Sequence, residues 1–126
     1  MLKKRGDSLV EVVVAVAIIS VVILALIRVT TVAINNATFA KNQATATNYA
    51  REVLEDARRL KETNLSTFFD SSNSPCTYSV TTVGSFTRTR QCDFYPNLVQ
   101  VTATVKWTDA LGDHQSQLMT NLTKWE

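Results

Sequence analysis

The chain of 126 residues carries an apolar run near its N-terminus, and this run limits the possible folds more than any other feature. From Val12 to Ile27 every residue but Ser20 is apolar, and no glycine or proline interrupts the run. As a helix the run would be about 24 Å long, slightly short of the ~30 Å hydrocarbon core of a bilayer. Residues 29–34 can extend it. The sequence therefore predicts a membrane-inserted helix.

The basic residues before this run predict its orientation. Lys3, Lys4 and Arg5 precede the apolar segment, whereas the whole chain has a formal net charge of only +2. Because such clusters stay on the cytoplasmic side, we expect a cytoplasmic N-terminus and a chain that lies outside after Arg28. The small total charge does not favour general binding to nucleic acid.

Glu11 stands next to the apolar residues, where a carboxylate costs about 2.5 kcal/mol or more on insertion scales. Three interpretations of the N-terminal segment are open: a plain membrane anchor, a secretory signal peptide cut near Thr31–Ala33, and a segment processed earlier in the chain. The first two leave Glu11 and Gly6 without a role. Gly6 ends the basic tip, and Glu11 follows it at the fifth position.

The stretch KKRG–DSLVEVVVAVAI resembles the prepilin leader of type IV pilins and of the pseudopilins of type II secretion. In that family a short basic leader ends in Gly, and the next residue becomes the new N-terminus. Glu is then the fifth residue of the processed chain. The resemblance implies that prepilin peptidase cuts between Gly6 and Asp7 and methylates the amino group of Asp7. Asp7 stands where the family most often has Phe. The resemblance also implies that Glu11 pairs with the N-terminal amine of a neighbouring subunit, which would offset the cost of a buried charge.

The same resemblance implies the partners and the location. The partners are other pilin or pseudopilin subunits, prepilin peptidase and an inner-membrane assembly platform. The location is the cytoplasmic (inner) membrane, with a single pass, and then a pilus or pseudopilus filament. The stretch SLVEV and the modest chain length resemble those of a minor pilin or minor pseudopilin. The alternative is a membrane-anchored or secreted extracytoplasmic binding module outside any filament, which would need neither cleavage after Gly6 nor Glu11.

The chain after Arg28 continues a helical pattern. Residues 29–62 contain no glycine or proline, and the charged residues Glu55 and Arg59 are placed to pair at i, i+4. Apolar or small residues recur with 4, 3, 4, 3 spacing at Ala46, Ala50, Val53, Ala57 and Leu60. This face predicts one helix from about residue 7 to about residue 63, ~85 Å long. A coiled coil is the alternative for the narrow apolar face, and a following sheet that needs covering favours the packed helix.

The rest of the chain predicts an antiparallel sheet. Asn64–Pro75 is interpreted as a loop, with Phe68 and Phe69 under the sheet. Gly84 suits the first position of a type II′ turn, and residues 108–114 are interpreted as a second turn. The predicted strands are residues 77–83, 86–92, 98–107 and 114–125. The third alternates apolar and polar residues most clearly, and Leu118 and Leu122 of the fourth are expected to point inward.

The predicted fold class is therefore α+β, with a long N-terminal helix packed on a C-terminal four-stranded antiparallel sheet, the lollipop shape of pilins. The helix has a transmembrane half and an amphipathic half. The predicted organisation is a leader at 1–6, a transmembrane and assembly half at 7–34, an amphipathic half at 35–63, and a β-sheet head with a disulfide loop at 64–126.

Two cysteines, Cys76 and Cys92, make up the whole cysteine content. With a single histidine, a zinc site would be short of ligands, and redox catalysis would need a closer pair. A structural disulfide is the expected outcome in an exported domain.

No enzymatic activity, cofactor or metal site is predicted. His114 is interpreted as a solvated turn residue. Asp109 and Asp113 lack the dense oxygen-ligand spacing of a calcium loop, so turn chemistry is favoured. Arg88 and Arg90 lie near aromatic residues, a pattern that can bind single-stranded DNA, but two arginines make a small footprint and an ordinary solvated strand face is favoured.

Overall fold

The computed structural model describes the backbone of residues 2–124 and the side chains of residues 6–124. The side chains of Lys3, Lys4 and Arg5, on which the predicted orientation depends, lie outside the described residues, and so does Trp125 of the predicted last strand. The elements in chain order are α1 (Leu2–Thr63), α2 (Leu65–Phe68), β1 (Ser79–Val83), β2 (Phe86–Tyr95), β3 (Leu98–Asp109) and β4 (Gly112–Thr123). The strands form one antiparallel meander in the order β1-β2-β3-β4, and the predicted fold class is confirmed.

The chain divides into two compact units, Met1–Ala37 and Thr38–Glu126. The first unit is helical, and none of its described side chains, from residue 6 onward, is buried. Its large apolar side chains are 50–67% exposed. The hydroxyl groups of Ser20, Thr30 and Thr31 donate hydrogen bonds to the backbone carbonyl four residues earlier, at 2.7–3.0 Å. These polar groups are therefore satisfied within the helix, as hydrocarbon surroundings would require.

The second unit contains the hydrophobic core. The C-terminal part of α1 contributes five buried residues on the predicted face and beside it: Ala46, Ala50, Val53, Leu54 and Ala57. β3 contributes its alternating apolar positions: Val99, Val101, Ala103, Val105 and Trp107. Leu122 is buried and Leu118 packs against the core, as predicted for the last strand. The period of two along β3 and the helical period along α1 place these residues on facing surfaces.

The connections differ from the predictions before β1, where the first strand begins at Ser79, between β2 and β3, where β2 extends to Tyr95, and after β3. The segment predicted as a loop contains the short helix α2, because Phe68 is fully buried and its ring centroid lies 5.2 Å from that of Phe69. The predicted turn over residues 108–114 is wrong in extent, since Asp109 and Gly112 still pair and leave two residues between them. Gly112 has φ 115°, a value that favours glycine. Side-chain hydrogen bonds hold this longer ladder, from the Thr108 hydroxyl to Asp113 and between His114 and Asp109.

The turn between β1 and β2 agrees with its prediction. Val83 pairs with Phe86 across two residues, and Gly84 has φ 60°. Ser85, the second turn residue, does not have positive φ. A positive φ at the first position alone is what a type II′ turn requires.

The predicted ion pair between Glu55 and Arg59 is wrong. Glu55 instead pairs with Arg58, and Arg59 pairs with Asp56, both at i, i+3. Side chains at i, i+3 and at i, i+4 both lie close together on a helix. Because Arg58 and Arg59 are consecutive, each can pair with the acidic residue three positions before it. All four side chains are about half exposed or more, so these pairs contribute little to stability.

Candidate functional site

The residues predicted for processing and assembly lie near the start of α1. Gly6, Asp7 and Glu11 are all exposed and all helical. A Cβ added at Gly6 would meet nothing within 4 Å. No close contact among the described residues therefore requires a glycine at residue 6.

Asp7 and Glu11 are four residues apart and share one face of the helix. Among residues 6–124, no hydrogen bond or ion pair engages either side chain. Two carboxylates at i, i+4 repel each other weakly. A positive group near Asp7, such as a new N-terminal amine at that residue, would turn this arrangement into an attractive one.

The surroundings of Glu11 are apolar and uncovered. Val10 is 61% exposed, Val12 is 59% exposed, and the apolar residues that follow are similar through Ile34. One helix in the described residues, Gly6–Thr63, is long and apolar enough to cross a membrane, and its most apolar window is not buried within the chain. Among the described residues, none bonds to the carboxylate of Glu11.

The predicted disulfide is present between Cys76 and Cys92, which are 16 residues apart. Cys76, before β1, is 1% exposed, and Cys92 lies in β2. The preceding loop is held by Ser74, whose hydroxyl donates to the carbonyl of Phe68 at 2.6 Å and accepts from the amide of Cys76 at 3.1 Å. The disulfide therefore attaches the loop after α2 to the sheet.

His114 is not the solvated turn residue that the sequence predicted. It lies in β4, its side chain is 22% exposed, and its Nε2 is 2.9 Å from Oδ1 of Asp109. Its ring also contacts Phe39 and Trp107, at centroid distances of 4.8 Å and 5.5 Å. The reason is the register of the sheet, which sets His114 directly opposite Trp107 on the face that packs against α1.

Asp109 is the most enclosed acid near this turn, with a side chain only 7% exposed. Burial by itself raises the pKa of Asp109, but hydrogen bonds from the Leu111 amide and from His114, together with the charge of His114, outweigh burial and lower the pKa below its usual 3.8. Asp109 thus has the predicted role in the turn, where it accepts from the Leu111 amide at 2.8 Å. Asp113 accepts a hydrogen bond from the Thr108 hydroxyl at 2.6 Å.

Arg88 and Arg90 are not on a solvated strand face. Arg88 pairs with Val105, whose side chain is buried, and so it points toward the helix side of the sheet. Its side chain is 20% exposed, and its Nη1 is 2.9 Å from Oε2 of Glu52. Its guanidinium also lies 5.4 Å from the ring centroid of Tyr49. These contacts to the chain's own helix compete with the predicted alternative of DNA binding.

The sequence contains a signal for this orientation of the two arginines. Cys92 is expected to form a disulfide, and alternate residues of a strand share a face. Arg88 and Arg90 precede Cys92 by even numbers of positions and therefore share its face. The pairing of Asp109 with His114 has no comparable signal, because it depends on the length of the turn between them.

Residues 1–27 match the family model described as the prokaryotic N-terminal methylation motif. The match supports the assignment of the chain as a type IV pilin-like prepilin and indicates a substrate of prepilin peptidase. The pilin family to which this motif points is a structural one. The motif and the apolar helix together are consistent with a membrane-anchored protein. Neither the curated proteins nor the solved structures gave a match.

Proposed function

We propose that the chain is a minor structural subunit, a minor pilin or minor pseudopilin, of a type IV pilus or a type II secretion pseudopilus. Prepilin peptidase removes residues 1–6 by cutting between Gly6 and Asp7, and the new amino group of Asp7 is methylated. The transmembrane and assembly half, residues 7–34, then packs among other subunits. The head, residues 64–126, stays outside the cytoplasm.

The observation that carries this proposal is Glu11, which has no partner among the described residues and stands at the start of the apolar part of α1, where no side chain of residues 6–37 is buried. A plain anchor gains nothing from a carboxylate at the edge of hydrocarbon, where it is costly. In a filament, that carboxylate meets the N-terminal amine at Asp7 of a neighbouring subunit, and the pair offsets much of its own desolvation. Glu11 therefore favours the assembled state over the single subunit.

Assembly has a second contribution from the apolar residues around Glu11. The exposed side chains between Leu9 and Ile34 can be covered either by lipid or by the same helix of other subunits. Because lipid tails are as apolar as these side chains, close packing and polar contacts decide between the two. The pair between Glu11 and an amine supplies such a polar contact.

The intact mass of the protein from native membranes, with sequencing of its N-terminal fragment, tests this proposal. A chain that begins at Asp7, with or without one added methyl group, is the expected result. A chain that begins at Met1 would contradict it and favour a membrane-anchored binding module. A chain that begins near Ile34 would contradict it in favour of a secretory signal peptide.

A further inference from the structure

We propose that the head contains a phosphate-binding pocket between α1 and the first two strands. The pocket has a volume of about 90 Å³ and is lined by Val53, Asp56, Ser79, Thr81, Arg88 and Arg90. Its ligand class is a small tetrahedral oxyanion that still carries one proton, as inorganic phosphate does. The proposal is independent of filament assembly, because every lining residue belongs to the unit Thr38–Glu126.

The two arginines place like charges side by side. Arg88 and Arg90 are alternate residues of β2 and therefore point to the same face of the sheet. Both are half-buried. Like charges in this position repel each other, and an anion between them would remove the repulsion.

The hydrogen-bonding capacity of these arginines is incompletely used. Nε of Arg88 is buried without an acceptor in the part of the chain that the structure describes. Nε of Arg90 donates to the carbonyl of Thr77 at 3.2 Å, and among residues 6–124 no carboxylate pairs with this guanidinium. Guanidinium groups bind the oxygens of phosphate in pairs, which makes two adjacent arginines a suitable cradle.

Two hydroxyl groups complete the donor set. Thr81 is paired with Arg88 and Ser79 with Arg90 across the β1–β2 ladder. Directly opposite residues of an antiparallel pair lie on the same face, so both hydroxyl groups border the pocket beside the guanidinium groups. Hydroxyl groups of this kind can donate to an anionic oxygen.

Asp56 makes the pocket selective among anions. Its Oδ1 accepts a hydrogen bond from Arg59, and no described residue donates a hydrogen bond to its Oδ2. A phosphate that retains one proton can donate a hydrogen bond to the carboxylate of Asp56. Fully ionised sulfate has no proton to donate, so this carboxylate only repels it. Glu52 is held by Arg88, so the three arginines at positions 59, 88 and 90 exceed the two carboxylates in charge. The remaining positive charge favours an anion.

The test is a titration of the full-length protein in maltoside micelles with inorganic phosphate at constant ionic strength. The measured signals are the Nε–H resonances of Arg88 and Arg90 by ¹H–¹⁵N NMR. We expect both resonances to shift in a saturable manner with phosphate, and sulfate to bind about tenfold more weakly because it cannot donate to Asp56. The absence of a saturable shift, or equal binding of both anions, would overturn the proposal.

The variant Arg90→Gln removes a guanidinium that pairs with no carboxylate among residues 6–124, and Arg58→Gln removes an exposed arginine of α1 with the same change in charge. We expect Arg90→Gln to weaken phosphate binding about tenfold, the size expected for one charge-assisted hydrogen bond, and Arg58→Gln to leave it unchanged. Equal losses in both variants would mean general charge attraction and would contradict the pocket. Should Arg90→Gln not fold, Ser79→Ala replaces it, with weaker binding as the expected result.

A short oligothymidylate with a free 5′ hydroxyl separates this pocket from a nucleic-acid surface. Its phosphodiester groups carry no proton to donate to Asp56, so we expect it neither to shift the two arginine resonances nor to displace phosphate. Displacement of phosphate by the oligonucleotide would overturn the proposal and favour DNA binding through Arg88 and Arg90.

Discussion

Glu11 places a carboxylate among exposed apolar side chains at the start of α1. Within the described residues its carboxylate has no partner, and its neighbours Val10 and Val12 are exposed. In the same helix the hydroxyl group of Ser20 is satisfied by the carbonyl of Val16 at 2.7 Å. The hydroxyl group of Ser20 is therefore satisfied within the helix, whereas the carboxylate of Glu11 has no partner among the described residues.

This contrast gives a prediction for filament assembly. Glu11→Val is expected to insert into the membrane normally, because it removes an unfavourable charge, and to enter sheared filaments at a much lower level than wild type. The measurement is the ratio of subunit in the filament fraction to subunit in the membrane fraction. Ser20→Ala is the control, since it also removes a polar group but one bonded within the helix. Normal incorporation of Glu11→Val would contradict the proposed role.

Asp109 gives a prediction for pH dependence. Its pKa is lowered in the folded state, so its ionised form stabilises the fold above the unfolded value, and this stabilisation is lost as the pH falls through the folded pKa. Asp109→Asn is therefore expected to melt below wild type at neutral pH, and the difference should shrink below the usual value of 3.8. Thermal melts across the pH range measure this. Asp113→Asn changes the charge equally, and a matching pH dependence of its deficit would contradict the role of Asp109.

The helices and strands could be predicted where apolar residues recur with one spacing over many positions. The alternation from Val99 to Trp107 and the helical face from Ala46 to Leu60 needed no tertiary information. The short helix around Phe68 and the tight turn after Asp109 were not predictable in this way, because each depends on contacts that the local sequence does not show. Phe68 is buried by residues distant in the chain, and the turn is shortened by continued pairing of two strands.

The disulfide links the segment between α2 and β1 to the sheet. The segment between α2 and β1 forms no strand, and Cys76 is its one residue buried in the core. We expect Cys76→Ser to lower the free energy of unfolding by about 2–5 kcal/mol, since removal of the cross-link frees the unfolded chain and leaves a buried polar group. Denaturant melts with and without reductant measure the effect. Wild-type melts that coincide under the two conditions would contradict it.

At the scale of the whole molecule, the amino-acid pattern distinguishes two kinds of surface. The first unit has apolar residues all round a helix, and the second has them on one face of a helix and one face of a sheet. From residue 6 to residue 37 the first pattern buries no side chain, and the second pattern forms a core. The contact of Asp109 with His114 could not be predicted in the same way, because it depends on the length of the turn between them. The contacts of Arg88 with Glu52 and Tyr49 depend on where the helix lies over the sheet.

This division predicts that the second unit folds without the first. Every residue of the hydrophobic core lies between Ala46 and Leu122, and none of the side chains from 6 to 37 is buried. A fragment of residues 38–126, made in an oxidising compartment, is expected to be soluble and to unfold cooperatively. Its Tm should lie within about 4 °C of that of the same unit in the full chain in micelles, the shift that ~1 kcal/mol produces in a small domain. A fragment without near-UV circular dichroism, or with a Tm far below that value, would show that the first half of α1 is needed for the core to form.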